Sequence, residues 1–276
     1  LDENDGLRDA LSALSYVRLS AEVSYDDRDG ELSAKVKRIN RIKAPERHDN
    51  APEKRVELHA HTKLSAMDSL MALDDYIKTA AEWGHTALAI TDHGVVHSFP
   101  DAYNRLVGYY EKKHKDLFPK GRPRREAYLE AIEKRGAAKL IFGMEGYLVD
   151  DRDARDENHD KPWHIIILAR NLTGLKNLYK IVSASHLEYF YKKPRIPRSL
   201  LNKHREGLIL GTACYLGELY QAILEQKQEK VIEEIAAGYD YFEIQPDTNN
   251  MFLLKNGTLA SMEDLHRINK RIVELG

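Results

Sequence analysis

The chain has 276 residues, with 42 Lys and Arg residues against 44 Asp and Glu residues and a formal net charge of −2. This composition is typical of a globular protein that folds without disulfide or metal staples. The near-zero charge excludes a global attraction to nucleic acid or to an anionic membrane, so either contact needs a local patch. No apolar run reaches the roughly 18 residues of a membrane-spanning helix, and Cys214 is the single cysteine. We therefore expect a cytoplasmic protein without membrane contact.

The first 50 residues differ in pattern from the rest. The stretches Val17 to Val23 and Glu31 to Ile39 alternate apolar and polar residues, and the turn-forming segment Asp26 to Gly30 joins them. This pattern predicts a β-hairpin. The polar segment from Lys43 to Pro52 then predicts a linker, and we place a domain boundary near residue 50.

From Val56 onward, short β-rich runs alternate with amphipathic helical stretches. This alternation is typical of an α/β domain built around a parallel sheet or barrel. The predicted strands are Val56 to Leu58, Ala87 to Thr91, Lys139 to Val149, Ile165 to Ala169, Gly207 to Ala213 and Tyr239 to Gln245. The predicted helices are Leu73 to Trp83, Leu175 to Ser185, Glu218 to Gln226 and Leu259 to Leu275.

Two segments are strongly charged. Residues 104–139 carry eleven Lys and Arg residues against five Asp and Glu residues, and Lys120 to Arg125 lies between two helical patterns. Such a basic loop can hold phosphates, but a solvated surface insertion is the better explanation. Residues 150–160 are acidic and predict an exposed loop.

Histidines, carboxylates and the cysteine follow or interrupt several predicted strands. His59 and His61 end the first strand, and side chains two apart on a strand point to the same face. Glu145 lies inside an apolar strand, where a carboxylate needs a cation or a metal. His164 begins its apolar run and so fits a strand-end rule less well. The candidate metal ligands are His59, His61, Asp68, His93, Glu145, His164 and Cys214.

These residues predict one polynuclear metal centre, because functional groups of α/β folds gather at the carboxyl ends of strands. A thiolate suits zinc, although Cys214 alone is also compatible with a small buried hydrophobe. We expect Asp92 to cap a turn or to orient a ligand. The other histidines, His85, His97, His186 and His204, are assigned to the surface or the core.

Phosphoester hydrolysis is the reaction class that such a centre favours. Its metals lower the pKa of a bridging water and neutralise phosphate oxygens. Competing chemistries lack support, because the sequence has no GxSxG elbow, no GxxxxGK[ST] phosphate loop and no GxGxxG fingerprint.

The ordered motifs resemble those of the PHP (polymerase and histidinol phosphatase) domain. They are HAHT at 59–62, Asp68, TDH at 91–93, GMEG at 143–146, HIIILA at 164–169 and GTAC at 211–214. Longer segments, among them RVELHAHTKLSAMDS, NLTGLKNLYKIVSASHLEYFY and PRIPRSLL, are similar to PolC-type replicative DNA polymerase III alpha subunits over residues 51–276. Residues 20–42 resemble the closing strands of the OB domain that precedes PHP in those chains.

The resemblance implies an α/β fold, a PHP-type (β/α)7 barrel preceded by a small OB-like β segment in residues 1–50. It also implies up to nine ligands for up to three divalent metals, zinc or manganese, with iron as a further option and magnesium for the polymerase reaction of the parent protein. Seven of these nine ligand positions match the seven candidate residues. The match makes His164 a stronger candidate than its place in the strand does. The remaining Asp-x-His would lie beyond Gly276, so we expect a fragment whose barrel lacks its last strand.

The resemblance also implies partners and shows departures. The partners would be DNA, the polymerase core of the same parent chain, the sliding clamp and replisome proteins. PolC-type chains usually carry a DEDD-type exonuclease after an LVDD-like segment, whereas here Leu148 to Asp151 runs through a short acidic loop to Trp163. The exonuclease and the polymerase palm, fingers and thumb are therefore absent from this sequence.

Three hypotheses follow for the function. The metal site is a phosphoesterase, suited to 3′ to 5′ proofreading within a DNA polymerase. Alternatively, bound metal stabilises a structural scaffold without catalysis. The third hypothesis is a stand-alone phosphatase of the histidinol-phosphate type, which the OB-like segment and the PolC-like segments argue against.

Overall fold

The computed structural model describes residues 16–27, 30–43, 47–65, 67–157 and 161–276. Parts of several sequence predictions lie outside the described residues, namely 1–15 of the OB-like segment, 28–29 in the hairpin turn, 44–46 in the linker, residue 66 in the loop before Asp68 and 158–160 in the acidic loop. By their contacts the residues form two units, Leu1–Ala51 and Pro52–Gly276.

The described part of the first unit is a β-hairpin, which confirms the predicted pair of strands. Strands β1 (Val17–Asp26) and β2 (Glu31–Arg41) are antiparallel, with a register shift between Ser20 and Ala21. Apolar side chains of both strands share one face and remain exposed, for example Val23 at 62% and Leu32 at 75%. That the hairpin closes an OB-like domain stays a prediction.

The second unit is built on a mixed sheet. Its strands are β3 (Ala87–Ile90), β4 (Lys139–Val149), β5 (Trp163–Ala169), β6 (Phe190–Tyr191), β7 (Lys193–Pro197) and β8 (Leu208–Gly211). The strand order is β6-β7-β4-β5-β8, and β3 pairs with the first residues of β4. At 11 residues, β4 reaches past the end of β3 and pairs with β5 and β7 along its second half.

The expectation of a parallel sheet is wrong at β5. Strands β3 and β7 run parallel to β4, but β5 is antiparallel to both β4 and β8. The cause lies in the connection, because parallel neighbours need a crossover, usually a helix. In its described residues the link from β4 to β5 holds a single 3₁₀ turn, Asp151–Asp153.

Two predicted strands lie along the sheet without forming ladders. Glu57 pairs with Leu88, and Tyr241 pairs with Gly211, each through an isolated parallel bridge. The segments Val56 to Leu58 and Tyr239 to Gln245 therefore flank the sheet at the level of its strands. The ladder strands of the described residues form an open mixed α/β sheet, and a closed seven-stranded barrel stays a prediction.

All four predicted helices are present, and the described residues contain six more. The ten are α1 (Leu73–Glu82), α2 (Phe99–Lys113), α3 (Arg124–Arg135), α4 (Leu172–Leu187), α5 (Arg198–Lys203), α6 (Glu218–Leu224), α7 (Glu229–Ala236), α8 (Asp247–Asn250), α9 (Phe252–Lys255) and α10 (Met262–Leu275). Side-chain hydrogen bonds cap the N-termini of two of these helices. Ser261 and Asp264 form a capping box at α10, and the Asn171 side chain accepts a hydrogen bond from Gly174 N at α4. Among the described residues, no helix is long and apolar enough to span a bilayer.

The basic segment 104–139 is a packed helical pair rather than a loose loop. Helices α2 and α3 bury Leu106, Tyr110 and Tyr128 in a core shared with β3 and β4. Its cations face outward into salt bridges, Arg124 with Glu111 at 3.0 Å and Arg135 with Asp116 at 2.8 Å. The segment is therefore a packed surface element in which some cations pair with carboxylates, although its eleven Lys and Arg residues exceed its five Asp and Glu residues.

The turn that carries Cys214 depends on the absence of a side chain at Gly217. A β-carbon there would lie 1.9 Å from the Thr212 carbonyl oxygen, which belongs to the backbone and cannot rotate away. We expect Gly217→Ala to lower the free energy of unfolding by about 2 to 3 kcal/mol because the turn must shift. Urea unfolding followed by circular dichroism measures this difference.

Gly108→Ala is the matched control. Gly108 lies inside α2, and a β-carbon there would meet the Arg124 guanidinium at 3.6 Å, an ordinary contact. Because alanine favours the helix by about 1 kcal/mol over glycine, this variant should be as stable as the parent or more so. Similar losses in the two variants would contradict the assigned role of Gly217.

Candidate metal centre

The predicted ligands meet at one edge of the mixed sheet. His59 and His61 follow the bridge at Glu57, and His93 comes three residues after the end of β3. Because β4 continues beyond β3, Glu145 lies level with His93, and the two residues form an isolated parallel bridge. Four residues from three segments thereby lie at the same edge of the sheet.

His164 reaches this edge because β5 runs in the opposite direction. The first residues of an antiparallel strand lie where its neighbours end, and His164 accordingly pairs with Tyr147 of β4 and bridges Gly217 beyond β8. The strand-end rule gave His164 low weight because the rule assumes that all strands are parallel. The structure brings all seven predicted residues together.

Glu145 is the centre of the cluster. Its side chain is 1% exposed and four imidazoles surround it. The distances from its carboxylate oxygens are 2.7 Å to His164 Nδ1, 2.9 Å to His93 Nδ1, 3.1 Å to His61 Nε2 and 3.4 Å to His59 Nε2. Burial alone would raise the pKa of Glu145, but interactions with the four imidazoles outweigh burial and hold the pKa well below its ordinary value.

Two buried polar atoms in this cluster lack hydrogen bonds. His93 Nδ1 and Glu145 Oε2 lie 2.9 Å apart, yet neither has a hydrogen-bond partner among the residues that the structure describes. Buried polar atoms are almost always satisfied, and a cation bound between donor atoms satisfies them without a proton. The donor set of this chain therefore fits a metal centre.

The donors form three contiguous groups in the described residues. They are His59, His61 and Glu145; His61, Asp68 and His93; and His93, Glu145 and His164. Within each group the ligand atoms lie within 4.8 Å of one another. His61, His93 and Glu145 each belong to two groups, so neighbouring ion positions would share ligands.

Asp68 and Cys214 lie at opposite sides of the cluster. Asp68 Oδ2 is 3.1 Å from His93 Nε2, and the Asp68 side chain is 49% exposed, so it faces the solvent side. Cys214 Sγ lies 3.6 Å from His164 Nδ1 and 3.8 Å from Glu145 Oε1. Burial, and then the charge of Glu145, raise the pKa of the Cys214 thiol, so a soft metal is needed to hold it as a thiolate.

Asp92 braces the loops that carry two of the histidines. Its carboxylate is buried and accepts hydrogen bonds from Thr62 N at 2.7 Å, Ser65 Oγ at 2.9 Å and Ser98 Oγ at 2.9 Å. Ser65 Oγ in turn accepts from His93 N at 3.1 Å. Asp92 thus orients the chain around His61 and His93 and contacts neither imidazole, as expected from its sequence position.

Glu243 is a residue of this site that the sequence analysis missed. Both of its carboxylate oxygens lie 2.9 Å from His59 Nδ1. Burial would lower the pKa of His59, but hydrogen bonds with Glu145 and Glu243 outweigh burial and raise the pKa to about 10. The Glu243 carboxylate fixes His59 Nδ1 as a hydrogen-bond donor. His59 Nε2 then points toward the other ligands and lies 3.1 Å from His61 Nε2. The sequence feature that could have identified Glu243 is its position as an acidic residue within the last predicted strand, Tyr239 to Gln245.

The cluster opens into a cleft of about 930 Å³, which is large enough for a small ligand. Arg55, Tyr215, Gln245 and Asn249 line the cleft beyond the ligands and offer hydrogen-bond donors to an anion. The histidines assigned to the surface or core, His85, His97, His186 and His204, belong to none of the ligand groups found among the described residues.

Replacing Asp92 with asparagine tests the bracing network. Asp92→Asn keeps the shape but replaces one acceptor oxygen by an amide donor, which faces hydroxyl and amide groups that themselves donate. We expect the free energy of unfolding to fall by about 1 to 3 kcal/mol. Chemical denaturation at neutral pH gives the value.

The control for this variant is Glu133→Gln on the exposed face of α3. A surface substitution of this kind should stay within about 0.5 kcal/mol of the parent. An Asp92→Asn variant as stable as this control would show that the network does not hold the loops.

The sequence matches known proteins over most of its length. Residues 57–247 match the family described as PHP domain. The DNA polymerase III PolC-type of Clostridium perfringens is 27% identical over 429 residues, which cover 95% of this chain and 30% of that protein. The protein of the same name from Caldanaerobacter subterraneus is 27% identical, with 98% and 31% covered, and that from Staphylococcus aureus is 26% identical, with 97% and 30% covered. The resemblance described from the motifs is thereby confirmed.

The chain spans about 30% of the length of these relatives. An alignment of 429 positions holds at most the 276 residues of this chain, so more than a third of its positions are residues of the relative without a counterpart here. The relatives therefore carry additional residues inside the matched region.

Proposed function

Because the chain belongs to the PHP domain family, we propose that its histidine and carboxylate cluster is a metal-dependent phosphodiesterase site. One observation carries the proposal. Glu145 is buried among four imidazoles, and in the described part of the chain its Oε2 atom and His93 Nδ1 have no hydrogen-bond partner. Such a carboxylate is costly to bury unless cations compensate it.

The residues that would hold the metals are the seven candidates. They are His59, His61, Asp68, His93, Glu145, His164 and Cys214. The three donor groups support up to three divalent cations. The three groups offer nitrogen and oxygen donors, which suit zinc, manganese or iron, and a Cys214 thiolate beside them would favour zinc.

The metals would supply a water-derived nucleophile at neutral pH and would neutralise the charge on phosphate oxygens. The residues of the chain around the ligands hold those ligands in position. Glu243 holds the His59 ring, Asp92 holds the loops of His61 and His93, and the exposed side of the cluster is the side of Asp68. A phosphodiester therefore approaches from the Asp68 side, where the donors are open to solvent.

The broader proposal is that this chain is the PHP segment of a PolC-type DNA polymerase III alpha subunit, with residues 1–50 as the end of a preceding OB-like domain. The names of the relatives and their coverage of 95 to 98% of the chain support it. DNA, the polymerase core, the sliding clamp and the replisome would be contacts of the parent protein, which would use magnesium for polymerisation. The relatives' additional residues support an exonuclease that this chain lacks, which leaves 3′ to 5′ proofreading to the metal cluster.

Activity with supplied metal tests this function. We expect the chain, loaded with Mn²⁺ or Zn²⁺, to hydrolyse bis(p-nitrophenyl) phosphate and to remove nucleotides from the 3′ end of a single-stranded oligodeoxynucleotide. Glu145→Gln should reduce both rates at least about 100-fold, because loss of even an outer-shell partner costs about 10- to 100-fold. His204→Ala, outside the cluster, should keep both rates.

The same experiment separates the alternatives. Stoichiometric metal, measured by mass spectrometry, with no turnover would overturn catalysis and favour the metal-stabilised scaffold. Hydrolysis of histidinol phosphate without action on DNA would favour the stand-alone phosphatase. Circular dichroism of Glu145→Gln shows whether a loss of activity comes from the site or from unfolding.

Metal affinity tests the role of Glu243 independently of turnover. Glu243→Ala removes the acceptor of His59 Nδ1, so we expect zinc affinity to fall by about 10- to 100-fold. Glu243→Gln keeps one acceptor oxygen and should recover part of this loss. Competition with a chromophoric chelator measures the affinity, and an unchanged value in Glu243→Ala would show that Glu243 does not orient the ligand.

A further inference from the structure

A groove between helices α4 and α5 is separate from the metal cluster. Its volume is about 650 Å³, and it is lined by α4, by the turn of Glu188 and Tyr189 that follows α4, and by α5. None of the seven candidate ligands lines this groove, and it shares no lining residue with the cleft of the metal cluster. Its size is that of a site for a small ligand.

Three lysines line the groove from two helices. Lys176 and Lys180 are one helical turn apart on α4 and therefore share a face of that helix. Lys203 is the last residue of α5 and lines the groove from the other helix. All three side chains are exposed, so their ammonium groups are accessible to a ligand.

The charges of two of these lysines meet at His204, which also lines the groove. Burial, and then the charges of Lys180 and Lys203, lower the pKa of the His204 imidazole. Because Lys180 belongs to α4 and Lys203 to α5, their common effect on one ring places both ammonium groups near the same point. The imidazole is neutral at pH 7, so the lysines supply the positive charge.

Carboxylates leave this charge uncompensated. Within the part of the chain that the structure describes, Lys176, Lys180 and Lys203 form no salt bridge. Arg124 and Arg135 of the basic segment differ, because each pairs with a carboxylate. The described residues that line the groove include three lysines and one carboxylate, in a chain of net charge −2. The groove is therefore a local positive patch that favours an anion.

An aromatic ring lies among the lysines. Tyr179 is on the same face of α4 as Lys176 and Lys180, and 43% of it is exposed. The Tyr179 ring packs against the Phe99 ring at a centroid distance of 6.3 Å, which limits its movement. Lysine ammonium groups bind phosphates as point charges, and nucleobases stack on tyrosine rings. The groove thus offers contacts for both parts of a nucleotide.

The placement of the lysines favours a compact ligand over a nucleic-acid strand. Proteins that bind a strand carry cations along a track that follows its backbone. Here Lys180 and Lys203 approach one point from two helices, and Lys176 is one helical turn away. Three cations around one position match the charge of a short phosphate chain.

We propose that the groove between α4 and α5 binds a nucleoside triphosphate, with Lys176, Lys180 and Lys203 on its phosphates and Tyr179 against its base. This site is distinct from the metal cluster and goes beyond the proposed function. The bound nucleotide is a ligand of the groove and is not the phosphodiester on which the cluster acts.

Equilibrium binding tests the groove. The probes are dTTP and inorganic tripolyphosphate, each titrated calorimetrically into the chain in EDTA, which keeps divalent cations from the metal cluster. For Lys180→Gln and for Lys203→Gln we expect the affinity for both probes to fall about tenfold, because each variant loses one charge-assisted contact. Tyr179→Leu keeps an apolar side chain but removes the stacking face. Its affinity for dTTP should fall about tenfold, and its affinity for tripolyphosphate should stay unchanged.

Two measurements control for charge and for folding. Lys230→Gln removes an exposed cation of α7 that pairs with Glu234, and it should change neither affinity. Glutamine has nearly the helix propensity of lysine, and the substituted lysines are exposed, so the melting temperatures of Lys180→Gln and Lys203→Gln should equal that of the parent.

The outcomes are independent of those of the proposed function, because binding is measured without turnover. Absence of dTTP binding, or unchanged affinity in both lysine variants, overturns the groove as a site. Equal affinities of the parent chain for dTTP and tripolyphosphate overturn the contact with the base. A decathymidylate that displaces dTTP and binds more tightly than dTTP overturns the compact ligand and assigns the groove to nucleic acid.

Discussion

The burial of one carboxylate organises the second unit of this chain. Glu145 is 1% exposed and is surrounded by four imidazoles from three different segments. A lone charge there would be strongly unfavourable, so every segment must arrive with its imidazole correctly placed. The length of β4 places Glu145, and the antiparallel direction of β5 places His164. The loops braced by Asp92 place His61 and His93.

Supporting residues decide how well the cluster is aligned. Glu243 holds one imidazole from outside, and Asp92 holds two loops through hydroxyl and amide donors. Gly217 allows the turn of Cys214 to close against the Thr212 carbonyl. None of these residues belongs to the candidate ligand set, yet each controls the position of a member of it.

Much of the site follows from local sequence pattern, and the rest depends on strand direction. Apolar runs followed by histidines located His59, His61 and His93 correctly, because a strand end is a local feature. The strand pattern gave His164 low weight because periodicity shows which face of a strand a residue occupies, but not whether the strand is parallel or antiparallel to its neighbours. Glu243 was missed because its partner, His59, is 184 residues away in the sequence.

The sequence separations within the cluster also set the entropic cost of its contacts. Glu145 and His164 are 19 residues apart, whereas Cys214 lies 69 residues from Glu145 and Glu243 lies 184 residues from His59. Closing a longer loop costs more conformational entropy. The buried pair of Glu145 and His164 therefore has the lowest closure cost of the three. Among these three pairs, the contact between His59 and Glu243 therefore carries the largest loop-closure cost, because it spans most of the second unit. The alignment of the His59 ring thus depends on the folding of nearly all of that unit.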